Sequence, residues 1–190
     1  MNILTEKLPT KIRVNKKVYD INYDYKTAIK TLMAFEDDEL TQSEKCYILL
    51  NNIYKEKIPE EDELEAISKG IKFLNLGEDS EDDKQNQKPR IYSFNKDATY
   101  IYSGINQTHK IDLEADEDLH FWKFMSLFMD MSPDCMFGEL VYYRTRKQEG
   151  KLTKEEKQQY EKIKDLVELE KVKVKSEART KFFEEFNRKS

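Results

Sequence analysis

The chain is poor in the residue types that carry most enzyme chemistry. Its 190 residues include two histidines, two cysteines and five glycines. Two histidines and two widely separated cysteines do not have the spacing of a zinc site, and the scattered glycines form no phosphate-binding loop of the G-x-x-x-x-G-K type. We therefore expect a protein that is not an enzyme, with no catalytic, cofactor-binding or metal-binding residues and with no cofactor.

The individual titratable residues support the same expectation. His120 and Asp116 lie four positions apart, and an ordinary ion pair on one helix face explains that spacing. Cys46 and Cys135 each lie in an apolar helical context with no histidine nearby in the sequence, which is not the setting of a cysteine nucleophile. We interpret both as buried thiols that stay reduced in a cytoplasm.

Long apolar runs and an excess of positive charge are also missing. The N-terminus has no apolar run of signal-peptide length, and a membrane-spanning helix would need about 20 consecutive apolar residues. The 33 basic residues are outnumbered by 38 acidic ones, which gives a net charge of −5. A non-specific nucleic-acid binder needs clustered positive charge to displace counterions. We expect a cytoplasmic protein that binds neither membranes nor nucleic acid.

Apolar residues are concentrated in one stretch, Leu119–Arg144, within a chain that is 37% charged. Helical spacing after the acidic run 116–118 predicts a helix that begins there, because negative charge stabilises a helix N-terminus. Pro133 should end that helix near Met131 or Ser132, since proline has no N–H to donate. A second helix should follow, and its inward face is predicted to hold Phe137, Leu140, Val141 and Arg144.

The simplest interpretation of this stretch is that it forms the core of the protein. It contains the only tryptophan and four of the six methionines. The alternative is a methionine-rich surface that adapts to a partner, because the flexible thioether fits many shapes. Met129 and Met131 are therefore candidate partner-binding residues.

The N-terminal half shows a change of hydrophobic period from two to about 3.6. Residues 11–22 alternate on both sides of a short polar turn, which predicts a β-hairpin that must lean on helices or on another chain. A helix should begin at Tyr25, and Thr41 with Glu44 forms a capping box for a second one. A third helix should follow Pro59 and end at Gly77. Its inward stripe is predicted to be Leu64, Ile67, Ile71 and Leu74.

The second half begins after residues 78–90, an acidic stretch with no large apolar side chain that we interpret as a flexible loop. Asn95 or Asp97 is predicted to cap a helix that runs to about His109. The residues expected on its inward face are Ala98, Ile101, Tyr102 and Ile105.

The C-terminal part should be a long charged helix, either continuous or bent or split near Glu170. Thr153 and Glu156 form a second capping box, and helical spacing continues to Phe186. Three aromatic side chains near its end, Phe182, Phe183 and Phe186, either pack on the same chain or contact an oligomer or partner. The predicted fold class is mainly α: a compact helical domain with a small N-terminal β-hairpin over residues 1–150, and a charged helix over residues 151–190.

Short segments spread over residues 8–170 carry a family resemblance. They are Leu8-Pro9-Thr10, Val18-Tyr19-Asp20-Ile21-Asn22, Tyr54 with Pro59, Phe73-Leu74-Asn75-Leu76-Gly77, Asp97-Ala98 with Tyr100-Ile101-Tyr102, Leu119-His120 with Trp122-Lys123-Phe124, and Tyr143-Arg144 with Arg146. In these segments the chain resembles a protein family of long-tailed phages and prophages of Gram-positive bacteria that is encoded close before the tape-measure gene.

The resemblance implies a tail assembly chaperone in the host cytoplasm. Such a protein coats the helical tape-measure protein, keeps it soluble, and is displaced as tail-tube protein polymerises. The implied partners are therefore the tape-measure protein, the tail-tube protein as a second candidate, and another copy of the chain if it forms a homo-oligomer. The alternatives are a structural minor tail or connector protein of the virion, and a nucleic-acid-binding regulator.

Overall fold

The computed structural model describes residues 2–78, 89–115 and 118–169. Within these ranges the predicted fold class is confirmed, because eight α-helices follow a two-stranded antiparallel sheet. The strands are β1 (Lys11–Val14) and β2 (Lys17–Asp20). The helices are α1 (Tyr25–Glu36), α2 (Gln42–Ile53), α3 (Glu63–Leu74), α4 (Ala98–His109), α5 (Phe121–Met129), α6 (Met136–Gln148), α7 (Lys154–Lys162) and α8 (Lys164–Val167).

The hairpin is present and leans on α3, as its marginal independent stability requires. Asn15 takes a left-handed conformation in the turn, with φ of 49°, which asparagine tolerates better than most residues. Its backbone N–H donates to Glu65 and its side chain donates to Asp62. The hydroxyl of the buried Tyr19 also donates to Asp62. These bonds fix the hairpin against the first turns of α3.

The capping box at the start of α2 is confirmed. The Thr41 hydroxyl accepts a hydrogen bond from the Glu44 backbone N–H, and the Glu44 carboxylate accepts one from the Thr41 N–H. Two N–H groups that the helix leaves without backbone partners are thereby satisfied. Leu49 and Ile53 of this helix lie in the first hydrophobic cluster, whose other buried residues are Val14, Tyr19, Ile21, Ala28, Tyr54, Ile58, Ala66, Phe73, Leu74, Phe121 and Trp122.

The predicted inward face of α3 was right only in part: Leu74 is buried and Ile71 packs against the first hydrophobic cluster, but the rest of the contact face differs. Leu64 is 85% exposed, while Ala66 and Gly70 are completely or nearly buried. The reason is close helix packing: a Cβ atom at Gly70 would lie 2.6 Å from Leu49 Cδ2 of α2. The small residues therefore form the contact face. Helix α3 ends at Leu74, three residues before the predicted end. Gly77 does cap it, as predicted, with φ of +89° and a hydrogen bond from its N–H to the Lys72 carbonyl.

The inward face of α4 was predicted only in part. Ile101 and Ile105 are buried, but Ala98 is exposed and Tyr102 is 40% exposed. Gly104 is buried instead, because a Cβ atom there would lie 2.9 Å from the sulfur of Met131. Glycine thus allows α4 to approach the segment between α5 and α6.

The central stretch contributes buried residues to all three hydrophobic clusters, but it does not form the core alone, because most of the first cluster comes from residues 14–74. On α5, Phe121 and Trp122 belong to the first hydrophobic cluster, while Phe124 and Phe128 belong to a second one, so this helix packs against both. The other buried residues of the second cluster are Phe94, Ile101, Ile105, Leu113, Leu119, Cys135 and Phe137. The bounds differ from the prediction: α5 begins only after His120, whose ring caps it, and ends at Met129. The predicted second helix is α6.

The C-terminal helix is interrupted at Ile163, where α7 ends and α8 begins at a new angle. The capping box of Thr153 and Glu156 is confirmed. Tyr160 and Val167 pack on Leu140 and Tyr143 of α6 as a third hydrophobic cluster. The predicted continuation to Phe186 and the acidic loop, except for its ends, lie outside the described residues. The division at residue 150 stays a prediction.

Candidate protein-binding surface

The five predicted partner-binding residues fall into three groups. Met129, the last residue of α5, is 62% exposed. Met131 is half-buried and packs against the second hydrophobic cluster, so most of its apolar surface is used inside the chain. Phe182, Phe183 and Phe186 lie outside the described residues. Of the two methionines, only Met129 offers a largely free side chain for contact with another molecule.

Other exposed apolar side chains lie singly on several elements, which is normal for a soluble domain. Leu4 at 90%, Leu64 at 85% and Tyr47 at 70% have larger exposed fractions than Met129. Neither Tyr47 nor Leu64 was predicted to be exposed for partner contact. Sequence spacing could not single them out, because helical stripes do not show which apolar face meets the core.

His120 has a structural role. Its Nδ1 accepts a hydrogen bond from the Trp122 backbone N–H at 3.0 Å, so Nε2 carries the proton and donates to the Pro9 carbonyl at 3.0 Å. The ring stacks on Tyr23 at 5.2 Å between centroids. Burial lowers the pKa of His120, because the charged form would lose solvation. Asp116, its expected ion-pair partner, lies outside the described residues.

The remaining histidine and one of the two thiols also have structural roles. His109 Nε2 lies 2.9 Å from the Leu127 carbonyl, which ties α4 to α5. The buried Cys135 caps α6, where its sulfur accepts a hydrogen bond from the Gly138 N–H. The prediction that Cys46 is buried was wrong, because it is only half-buried on α2. In the described ranges, no group of three or more histidine, cysteine, aspartate and glutamate side chains is arranged to hold a metal.

The strongest polar arrangement is a buried ion pair between Asp97 and Arg144. Asp97 is completely buried and Arg144 is 4% exposed. The guanidinium donates to both carboxylate oxygens, from Nη1 to Oδ2 at 2.6 Å and from Nη2 to Oδ1 at 2.9 Å. This bidentate geometry is the strong form of an arginine–carboxylate contact. Asp97 Oδ2 also accepts the Ser93 backbone N–H at 2.9 Å.

The other donors of Arg144 bind three backbone carbonyls. Nε donates to Val167 at 2.6 Å, Nη2 to Leu166 at 3.1 Å, and Nη1 to Ile91 at 3.1 Å. With the two bonds to Asp97, all five guanidinium N–H groups are satisfied. One side chain therefore holds together α6, the segment before α4, and the end of α8.

Sequence analysis missed this pair although it named both residues. Asp97 does occupy the N-cap position of α4, but its side chain makes no capping bond there. An arginine predicted on an apolar helix face was the available signal, because a buried arginine needs acceptors. The sequence did not show that the acceptor was 47 positions away.

A second polar group surrounds the end of α8. Lys96 donates to the backbone carbonyls of Asp165 and Glu168. Lys147 donates to the Glu168 carboxylate at 2.9 Å and to the Tyr160 hydroxyl. The Lys147 ammonium lowers the pKa of Glu168 and the Glu168 carboxylate raises the pKa of Lys147. These cations complement the negative end of a helix.

The described ranges thus define a small helical protein in which buried polar and ionisable side chains join elements to one another. The chain belongs to the Bacteriophage Gp15 protein family, whose family model matches residues 4–169 of the 190. The expectation of a bacteriophage protein is confirmed. No curated protein and no solved structure matches the chain significantly. Among the described residues no helix has the length and apolarity to span a membrane.

Proposed function

We propose that this phage protein is a non-catalytic tail assembly chaperone. It binds the tape-measure protein, tail subunits, or both in the host cytoplasm and leaves the assembly before the virion is complete. The class of phage protein rests on the family match over residues 4–169. The chaperone role rests on the resemblance described above and on how the chain uses its chemical groups.

The observation that carries the non-catalytic part of the proposal is the location of the recognised segments. Trp122 is buried, and its indole N–H donates to the Phe73 carbonyl at 2.9 Å. Its ring packs so closely on Gly77 that a Cβ atom there would lie 3.0 Å from the ring. Asp97 and Arg144 face one another as the buried pair. The residues that carry the resemblance therefore include the main packing contacts of the fold, and activity is expected from exposed surface.

Met129 is the described residue best suited to that contact. It lies at the exposed end of α5, the most apolar helix, and its unbranched side chain can adapt to different apolar partners. A long helical client presents a repeating apolar stripe that such a surface can bind. The net charge of −5 favours solubility of the complex.

Co-expression with the tape-measure protein encoded beside it tests the proposal. The full chain should keep the tape-measure protein soluble and co-purify with it. Met129→Glu should reduce the co-purified amount several-fold, because it places a charge in the contact. Leu64→Glu is the matched control, since Leu64 is also exposed and apolar, and it should have no effect.

Two results would oppose the proposal. An insoluble tape-measure protein, together with this chain in purified virions, would indicate a structural tail or connector protein. Binding to DNA or RNA with a steep salt dependence would indicate a nucleic-acid regulator. An equal loss of binding in the Met129→Glu and Leu64→Glu variants would show that Met129 has no specific role in the contact.

A further inference from the structure

Residues 152–169 form a strap, the name used here for α7, α8 and their flanking residues. The strap lies on a seat formed by α6 and the segment before α4. Its apolar contacts are confined to the third hydrophobic cluster, where Tyr160 and Val167 meet Leu140 and Tyr143. The first two clusters contain no residue of the strap. The main core is therefore complete without it.

The polar half of the seat recognises general features of a helix end. Arg144 and Lys96 bind four backbone carbonyls of the strap, those of Asp165, Leu166, Val167 and Glu168. Lys147 adds one contact to the Glu168 carboxylate. A helix C-terminus exposes carbonyls without partners, so the seat satisfies acceptors that any copy of the strap would carry.

Part of the hydrogen bonding of the seat does not depend on the strap. Arg144 keeps both bonds to Asp97 and its bond to the Ile91 carbonyl, and it loses only the two acceptors on Leu166 and Val167. Two guanidinium N–H groups are then left without protein partners beside exposed apolar surface of Leu140. An empty seat consequently favours binding of a new helix end over remaining open.

The connection between seat and strap can turn without unfolding α6. Five residues, 149–153, join Gln148 of α6 to Lys154 of α7. Gly150 ends α6 by itself: it has φ of +68°, its N–H donates to the Lys147 carbonyl, and the Lys151 N–H donates to the Arg146 carbonyl. A Cβ atom at Gly150 would meet nothing within 4 Å, so the turn lies in open space.

We propose that the seat binds the strap of a second copy of this chain, so that two copies exchange straps in a closed two-fold dimer. The second copy is the favoured occupant because its strap carries the same Tyr160, Val167 and Glu168 and the same helix-end carbonyls. Each exchanged strap repeats the contacts that it makes within one chain, and the exchange is reciprocal, as a closed dimer requires. This inference does not depend on the tape-measure proposal.

Shortening the connection in the full chain tests the exchange. Deletion of Gly150 and Lys151 removes the turn and prevents the strap from reaching its own seat. The expected product is a particle with the mass of two chains in sedimentation velocity, in which the strap resists trypsin. The matched control is insertion of Gly-Ser-Gly after Gly150, which lengthens the connection and should shift the equilibrium towards a closed monomer.

Two further variants show whether the strap mediates the dimer. Val167→Asp in the deletion background should return the mass to one chain, because Val167 is 1% exposed in the seat. Lys96→Glu is a milder change at an exposed position and should weaken the dimer several-fold. Fluorescence of Trp122, which lies in the first cluster, reports whether each variant keeps its core.

A deletion variant that is monomeric with a trypsin-sensitive strap would overturn the proposal, and so would a dimer that survives Val167→Asp. If the deletion variant loses the Trp122 signal, the unaltered chain is tested instead at its highest soluble concentration. The proposal then requires a dimer that Val167→Asp abolishes. The absence of this dimer would also overturn the exchange.

Discussion

Replacing Arg144 by methionine should cost more stability than any other single charge removal in the described ranges. The substitution keeps a long apolar side chain but removes five N–H donors and the positive charge. The carboxylate of Asp97, which is completely buried, then keeps only the Ser93 backbone N–H as a hydrogen-bond donor. The carbonyls of Leu166 and Val167 also lose their donors. The main cost is an uncompensated buried carboxylate.

The expected magnitude follows from this arrangement. Removal of one partner from a buried ion pair costs about 3–5 kcal/mol, and a domain is stable by only about 5–15 kcal/mol. For a chain of this size each kcal/mol shifts Tm by roughly 2–4 °C, so Arg144→Met should lower Tm by on the order of 10 °C. A loss of this size distinguishes the pair from an exposed contact.

Urea unfolding, followed by Trp122 fluorescence and far-UV circular dichroism, measures the loss. Arg146→Met is the matched control on the same helix: its ion pair with Glu156 is partly exposed, at 29% and 19%, and should contribute less than about 1 kcal/mol. The double variant Asp97→Asn with Arg144→Met should be more stable than the sum of the single losses predicts, by about 1–3 kcal/mol. Equal losses for both arginines, or no coupling, would refute the reasoning.

Two other predictions concern single residues. Because burial lowers the pKa of His120, its contribution is fully present above the unfolded pKa of about 6.5 and is lost as pH falls through the folded pKa. His120→Asn should therefore flatten the decline of unfolding free energy between about pH 6.5 and 5, and an unchanged decline would contradict this. Gly138→Ala should cost about 1–3 kcal/mol, since its Cβ would lie 2.4 Å from the Pro133 carbonyl oxygen. Gly104→Ala should lower the free energy of unfolding by less than Gly138→Ala, because the Met131 side chain can move. Both losses are measured by urea unfolding, and a larger loss for Gly104→Ala would contradict this argument.

Local signals predicted most of the secondary structure. The two capping boxes, the hairpin and the cap of α3 at Gly77 depend on residues within a few positions of each other. Their hydrogen bonds can form before distant parts of the chain meet. The concentration of apolar residues in the central stretch predicted only one part of the core.

The sequence by itself thus determined the types of the elements and the mainly helical class. Only the tertiary structure decided that Gly70 rather than Leu64 faces the core, that Asp97 pairs with Arg144, and that the last helix turns at Ile163. Each of these depends on contacts between residues far apart in the chain. Hydrophobic period reports that a face is apolar, but the partner that covers a face is set by how the helices pack.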